Sequence, residues 1–175
     1  MRHNVRMDSV RLRVLRESDL DQLSENETPE LDPWNAFDFR ASNRFQQRFA
    51  TNGGISEEAG TLAVETTDGV LVGSVGWHMV VHGPTPACRA LNIGISLFAP
   101  HRGRGYGTSA QRQLAEYLFA SRLIERLEAG TDVDNVAEQR ALESAGFSRE
   151  GTMRHAQFRN GQWRDVVLYS RLRGD

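Results

Sequence analysis

The chain has 175 residues, 39% of them hydrophobic and 25% charged, and carries a formal net charge of −2. Such a length can bury a substantial core, so a single domain over residues 1–175 is expected, and the near-neutral charge gives no global attraction to nucleic acid or an acidic membrane. A lone cysteine, Cys88, excludes an internal disulfide framework, and no run of about 18 apolar residues or signal-peptide core is present, which predicts a cytoplasmic protein without a membrane span.

Residues 11–15 read as a short strand with Leu12 and Val14 alternating, and Ser18 and Asp19 offer helix caps before Leu20 and Leu23. The acidic stretch 25–38, with Pro29, Pro33 and Trp34, reads as loop. Residues 39–50 suit a helix, with Phe45 and Phe49 on one face and Asn52-Gly53-Gly54 as its stop. Residues 61–66 and 70–81 read as strands joined at Asp68-Gly69, a type I′ hairpin signal. Residues 89–98 form the next strand, followed by a helix over 108–122 with Ala110, Leu114, Tyr117 and Leu118 inward. A strand over 124–130 and a helix over 135–145 come next. Asn135 and Glu138 resemble a capping box, and Gly146 is the stop. The strands 152–158 and 162–172 flank Asn160-Gly161, a second type I′ turn. The central strand–helix–strand unit demands one parallel pair, because a hairpin cannot span the helix. The expected fold is α/β (α+β): a mixed, mostly antiparallel sheet of six or seven strands, with helices on both faces.

The most informative segment is 101–110, His-Arg-Gly-Arg-Gly-Tyr-Gly-Thr-Ser-Ala, between a strand and a helix. Gly103, Gly105 and Gly107 free the backbone to aim several N–H groups at one point, and the helix start adds its positive dipole end. Arg102 and Arg104 add mobile positive charge, so the segment reads as a diphosphate cradle. A Walker loop is excluded, since no lysine follows the glycines. Gly105-x-Gly107-x-x-Ala110 matches a dinucleotide fingerprint, with Glu125 or Glu128 near the place of the ribose acid, but only 65 residues follow Ala110. A purely structural turn is the remaining alternative.

The pattern Arg102-x-x-Gly105-x-Gly107 resembles the acyl-CoA loop of the GNAT superfamily of N-acyltransferases. Three further features extend the resemblance over nearly the whole chain, toward the RimJ/RimL type of ribosomal-protein N-terminal acetyltransferase. They are the strand Asn92-Ile93-Gly94-Ile95-Ser96-Leu97 running into Pro100, Asn135 followed by Gly146-Phe147, and the tail from Phe158 through Asn160-Gly161, Trp163 and Asp165-Val166 to Leu168-Tyr169. The resemblance implies acetyl transfer from acetyl-CoA to a primary amine, by direct attack and without metal. It implies that backbone groups of Ile95, Leu97 and Phe98 bond the pantetheine arm and that the amides from Arg102 to Thr108 (Arg102, Gly103, Arg104, Gly105, Tyr106, Gly107, Thr108) hold the diphosphate. Asn135 approaches the thioester or caps its helix, and the Leu97 N–H is the oxyanion donor.

The acid and base positions depart from the family pattern. Where many members carry Glu before the Ile-Gly pair this chain has Asn92, and the usual Tyr is Leu142. The Rim-type Ser and Glu are Glu138 and Gln157. Substitute proton carriers are His78, His155 and Glu138. A lysine-type amine is roughly 0.1% neutral near pH 7.5 whereas a peptide α-amino group is roughly one-third neutral, so weak base machinery favours a peptide N-terminus or another low-pKa amine. The acidic residues Glu25, Glu27, Glu30 and Asp32 either steer a cationic amine or lie in a solvated loop, and Trp34, Trp77 and Trp163 either line the acceptor pocket or pack. The expected partners are a small-molecule or peptide amine and, by resemblance, a second copy in a homodimer. A degenerate acyl-CoA sensor and a succinyl- or longer-acyl transferase are the alternatives.

Overall fold

A computed structural model describes residues 10–35, 37 and 43–175. In chain order the elements are β1 (Val10–Val14), α1 (Leu20–Glu25), α2 (Arg44–Asn52), β2 (Ala59–Thr66), β3 (Leu71–Val81), β4 (Arg89–Leu97), α3 (Tyr106–Ser121), β5 (Arg126–Asp132), α4 (Val136–Ser144), β6 (Ser148–Arg159) and β7 (Gln162–Leu172). The strands form one seven-stranded sheet in the order β1-β2-β3-β4-β5-β7-β6. All neighbours are antiparallel except β4 and β5, the pair that flanks the α3 crossover. Among the described residues no helix is long and apolar enough to cross a membrane.

The main core lies between the sheet and the α3–α4 pair. Ala110, Leu114, Ala115 and Leu118 turn one face of α3 onto Val75, Leu91, Leu127 and Tyr169. Gln111 shares that buried face, whereas Tyr117, expected inward, is 37% exposed, its ring tilted at 58° to that of Trp77 with the centroids 6.0 Å apart. A second cluster joins Leu20, Leu23 and Phe45 to Ala63, Leu71 and Phe98 on the opposite face. The expected helix over 39–50 is realised as α2, ended by Gly53 at φ 65°; residues 39–42 lie outside the described residues.

The two hairpins differ. Asn160 and Gly161 both have positive φ, 51° and 72°, as a type I′ turn requires. At Asp68-Gly69 only the glycine does, at 89°, and the Gly69 N–H bonds the Thr66 carbonyl at 2.9 Å. That is a three-residue loop with a left-handed glycine closing it, because Thr67 enters the turn with Asp68 and Gly69.

Gly60 lies beneath the buried Trp77 ring, where an added Cβ would stand 2.2 Å from it. Gly60→Ala is therefore expected to destabilise the protein by about 1–3 kcal/mol through overpacking, measured by urea unfolding.

Candidate active site

The site starts from a defect in the sheet. β4 and β5 pair only at Leu91↔Leu127, Asn92↔Glu128 and Ile93↔Ala129. Beyond that rung each strand stays paired on its outer side, β4 to β3 as far as Leu97↔Gly73 and β5 to β7 as far as Asp132↔Val166. The Phe98 N–H donates to the Val72 carbonyl at 2.9 Å, so Phe98 faces β3. By alternation Ile95 and Leu97 turn their backbone groups toward the gap. This corrects one expectation: Phe98 has its amide on β3 and its side chain in the second core cluster, and contributes nothing to the gap. The Ile95 carbonyl accepts from Asn35 Nδ2 at 3.2 Å and the Leu97 carbonyl from Arg102 Nε at 2.8 Å. Each keeps a second lone pair, and the two N–H groups point into the opening.

At the mouth of the gap the chain makes a 3-10 turn and then the glycine loop. Gly103 and Gly105 take positive φ, 74° and 79°, a region costly for other residues. Gly107 does not; it is the second residue of α3, and a Cβ there would point at Leu97 and Ile95, into the space between helix and strand. The first intrahelical bond is Ser109 N–H to Gly105, and no side chain caps the helix. The backbone N–H groups of the first turn of α3 therefore open toward the gap with the positive dipole end, which fits a diphosphate. The Arg102 amide is not among them, since it bonds the Ala99 carbonyl at 3.3 Å. Its guanidinium is not mobile either: it holds the carbonyls of Leu97 and Leu31 and stands 3.6 Å from Asp32. Arg104 remains exposed. The dinucleotide alternative fails, because the sheet has one parallel pair and Glu128 is taken by Arg126 and His82, both at 2.6 Å.

A cleft of about 770 Å³ runs from this cradle through the gap to the opposite face of the sheet. It brings together Asn92, His78, Asn135 and Glu138. His78 is the cross-strand partner of Asn92, and burial, then the charge of Arg48, lower its pKa. Asn135 caps α4 by accepting from the Glu138 N–H at 3.3 Å. The Glu138 carboxyl does not complete a capping box; it turns to Gln111, and burial pushes its pKa up to about 8 against that hydrogen bond. Leu142 and Tyr169, both fully buried, serve the core, and the Tyr169 hydroxyl donates to Glu143. His155 lies outside the cleft, stacked on Trp163 at a bulge in the final hairpin, where its N–H bonds Asp165 at 2.8 Å. Trp34 and Trp77 line the cleft; Trp163 does not.

The acidic stretch is neither a solvated run nor an open acidic mouth. Glu27 is clamped by Arg44, and Asp32, 3% exposed, accepts from Ser96 Oγ at 2.6 Å and Asn35 at 3.0 Å. Glu25 and Glu30 stand apart from the cleft. Sequence reasoning missed Arg48, Gln111 and Arg159. Gln111 had a signal, a polar residue on the apolar face of α3. Arg159, 5% exposed, had none: it bonds the Trp34 carbonyl at 2.5 Å and pairs with Asp132 across elements far apart in the chain.

Residues 9–148 match the family described as acetyltransferase (GNAT) domain, and the chain belongs to that family. It is 34% identical over 109 residues to the probable N-acetyltransferase YjcK of Bacillus subtilis (strain 168), a match covering 62% of this chain and 59% of that relative. The chain thus spans about three-fifths of that relative's length. The spermidine N-acetyltransferase of Vibrio cholerae, solved with CoA and spermine, superposes with a TM-score of 0.79 at 18% identity, covering 94% and 96% of the two chains. Mycobacterium smegmatis RimJ, solved with CoA-disulfide, gives 0.74 at 22% identity, covering 93% and 81%. These two likenesses are of fold.

The raised pKa of Glu138 makes a stability prediction. The folded state holds a proton that the unfolded chain releases above its ordinary carboxylate pKa, so the carboxyl costs stability as pH rises from there through about 8. Glu138→Gln should therefore be more stable than the parent at pH 8.5, with the difference vanishing near pH 4, as read by urea unfolding at both values.

Proposed function

We propose that this protein is an acetyl-CoA-dependent N-acetyltransferase acting on a primary amine, either a peptide α-amino group or a small-molecule amine. The observation that carries this reading is that the first turn of α3 and the gap edge of β4 open into one cleft. The first suits a diphosphate and the second an amide-bearing arm laid along the strand like an added partner. The amides from Gly103 to Thr108 hold the diphosphate, and Ile95 and Leu97 orient the arm. The Leu97 N–H donates to the thioester oxygen as negative charge develops there.

The two proton carriers have pKa values displaced in opposite directions, which separates their roles. His78, lowered, is neutral at neutral pH and takes the proton that the amine loses on forming its new N–C bond, through a water. Glu138, raised to about 8, keeps its proton and donates it to the sulfur as the C–S bond breaks, leaving CoA as the thiol. Asn92, beside His78, positions the water and cannot itself take a proton. The pair favours turnover over the sensor alternative, whose support was the loss of the usual acid and base.

Calorimetric titration with acetyl-CoA tests the reading first: micromolar one-to-one binding is expected, and no heat at millimolar ligand overturns it. With a peptide acceptor, His78→Ala should lower kcat by about 100-fold at unchanged acetyl-CoA affinity. The parent should lose rate as pH rises through about 8, and Glu138→Gln, slower throughout, should lack that alkaline limb.

A further inference from the structure

Each carboxylate that lines the acceptor side of the cleft already has a cation or donors of its own. Glu27 is held by Arg44. Asp32 accepts from Ser96 and Asn35 with Arg102 nearby. Asp132 carries both Arg159 and Arg164, whose hydrogen bond holds it below the usual carboxylate range. Arg48 is different. It lies one turn after Arg44 on α2, is exposed, lines the cleft, and has no hydrogen-bond or ion-pair partner among the described residues. Its charge reaches the His78 imidazole and the Arg44 guanidinium, so it stands beside the place where the amine must arrive. Arg44 cannot substitute for it, being committed to Glu27.

An acceptor with extra positive charge would therefore meet a bare guanidinium and no unpaired carboxylate. An acceptor with a negative group near its amine would match that guanidinium; the other cleft arginine without a partner among the described residues, Arg140, stands on α4. Resting on the acyltransferase reading above, the geometry points to an acceptor whose amine carries an anionic group a few bonds away, held by Arg48 while the amine faces His78. An acidic side chain near a peptide N-terminus and the carboxylate of a free amino acid present the same chemistry. Arg48 is thus a specificity residue, distinct from the groups that move protons.

The test uses the full chain, acetyl-CoA and three amidated peptides, Ser-Glu-Gly, Ser-Gln-Gly and Ser-Lys-Gly, with free serine as a fourth acceptor. The Glu peptide is expected to exceed the Lys peptide by about tenfold or more in kcat/KM, mostly through KM. Arg48→Glu should invert that order, and Arg48→Gln should flatten it while the Gln peptide changes little. Arg48 is exposed and has no partner among the described residues, so both variants should fold. Serine outpacing the Glu peptide assigns the anion to a free amino acid; the reverse assigns it to a peptide side chain. Equal rates for the three peptides, or an unchanged order in Arg48→Glu, overturns the inference and leaves the acyltransferase reading standing. Acetyl-CoA binding without turnover of any of the four acceptors overturns it as well. Failure to bind acetyl-CoA at all instead removes the reading beneath it.

Discussion

Everything at the site depends on the parallel ladder between β4 and β5 stopping at Ile93↔Ala129. Two strands that are well paired on their outer sides diverge on their inner ones, and buried backbone polar groups are then left without a strand opposite. The molecule tolerates this because the loop around Leu31 to Asn35 bridges the open end. On one side Asp32 and Asn35 take hold of Ser96 and the Ile95 carbonyl. On the other, Arg159 binds the Trp34 carbonyl and Asp132 at the end of β5. The gap is thus a held feature of the fold, braced from both of its edges by one loop.

Arginine chemistry sets the electrostatics around that gap. The sequence contains no lysine, so all 21 of its basic side chains are guanidiniums, which stay charged and suit forked bonding to carboxylates and carbonyls. Most of those near the cleft are spent in this way: Arg44 on Glu27, Arg102 on two carbonyls, Arg159 and Arg164 on Asp132. Pairing removes both signs of charge from the lining. Among the described residues that line the cleft, Arg48 and Arg140 keep no partner, and the first turn of α3 adds its positive dipole end. A desolvated carboxyl at Glu138 persists in the same setting because it can hold its proton rather than its charge.

Local signals carried far. The glycine-rich turn between a strand and a helix, the Asn-Gly hairpin and the strand–helix–strand order each rest on short-range backbone chemistry, and all three are realised. Resemblance extended that to the family. The misplacements came where the chain's choice depends on distant partners. Phe98 continues the strand pattern but is drawn into the second core cluster against Ala63 and Leu71. Asp32 belongs to an acidic run in sequence and is buried against Ser96, 64 residues away. Asn135 caps its helix as its local pattern requires, yet Glu138 turns from the box to Gln111, because α3 packs beside α4 and offers a donor.

By itself the sequence determined the order of elements, the single parallel crossover and the glycine turn at the start of α3, since each follows from periodicity, capping and glycine dihedrals within a few residues. The tertiary structure alone decided how far the parallel ladder runs and which arginine ends up beside which carboxylate. It also decided which ionisable groups lose enough water to shift their proton affinity. Those outcomes depend on long-range packing and desolvation, quantities that no local stretch of residues contains.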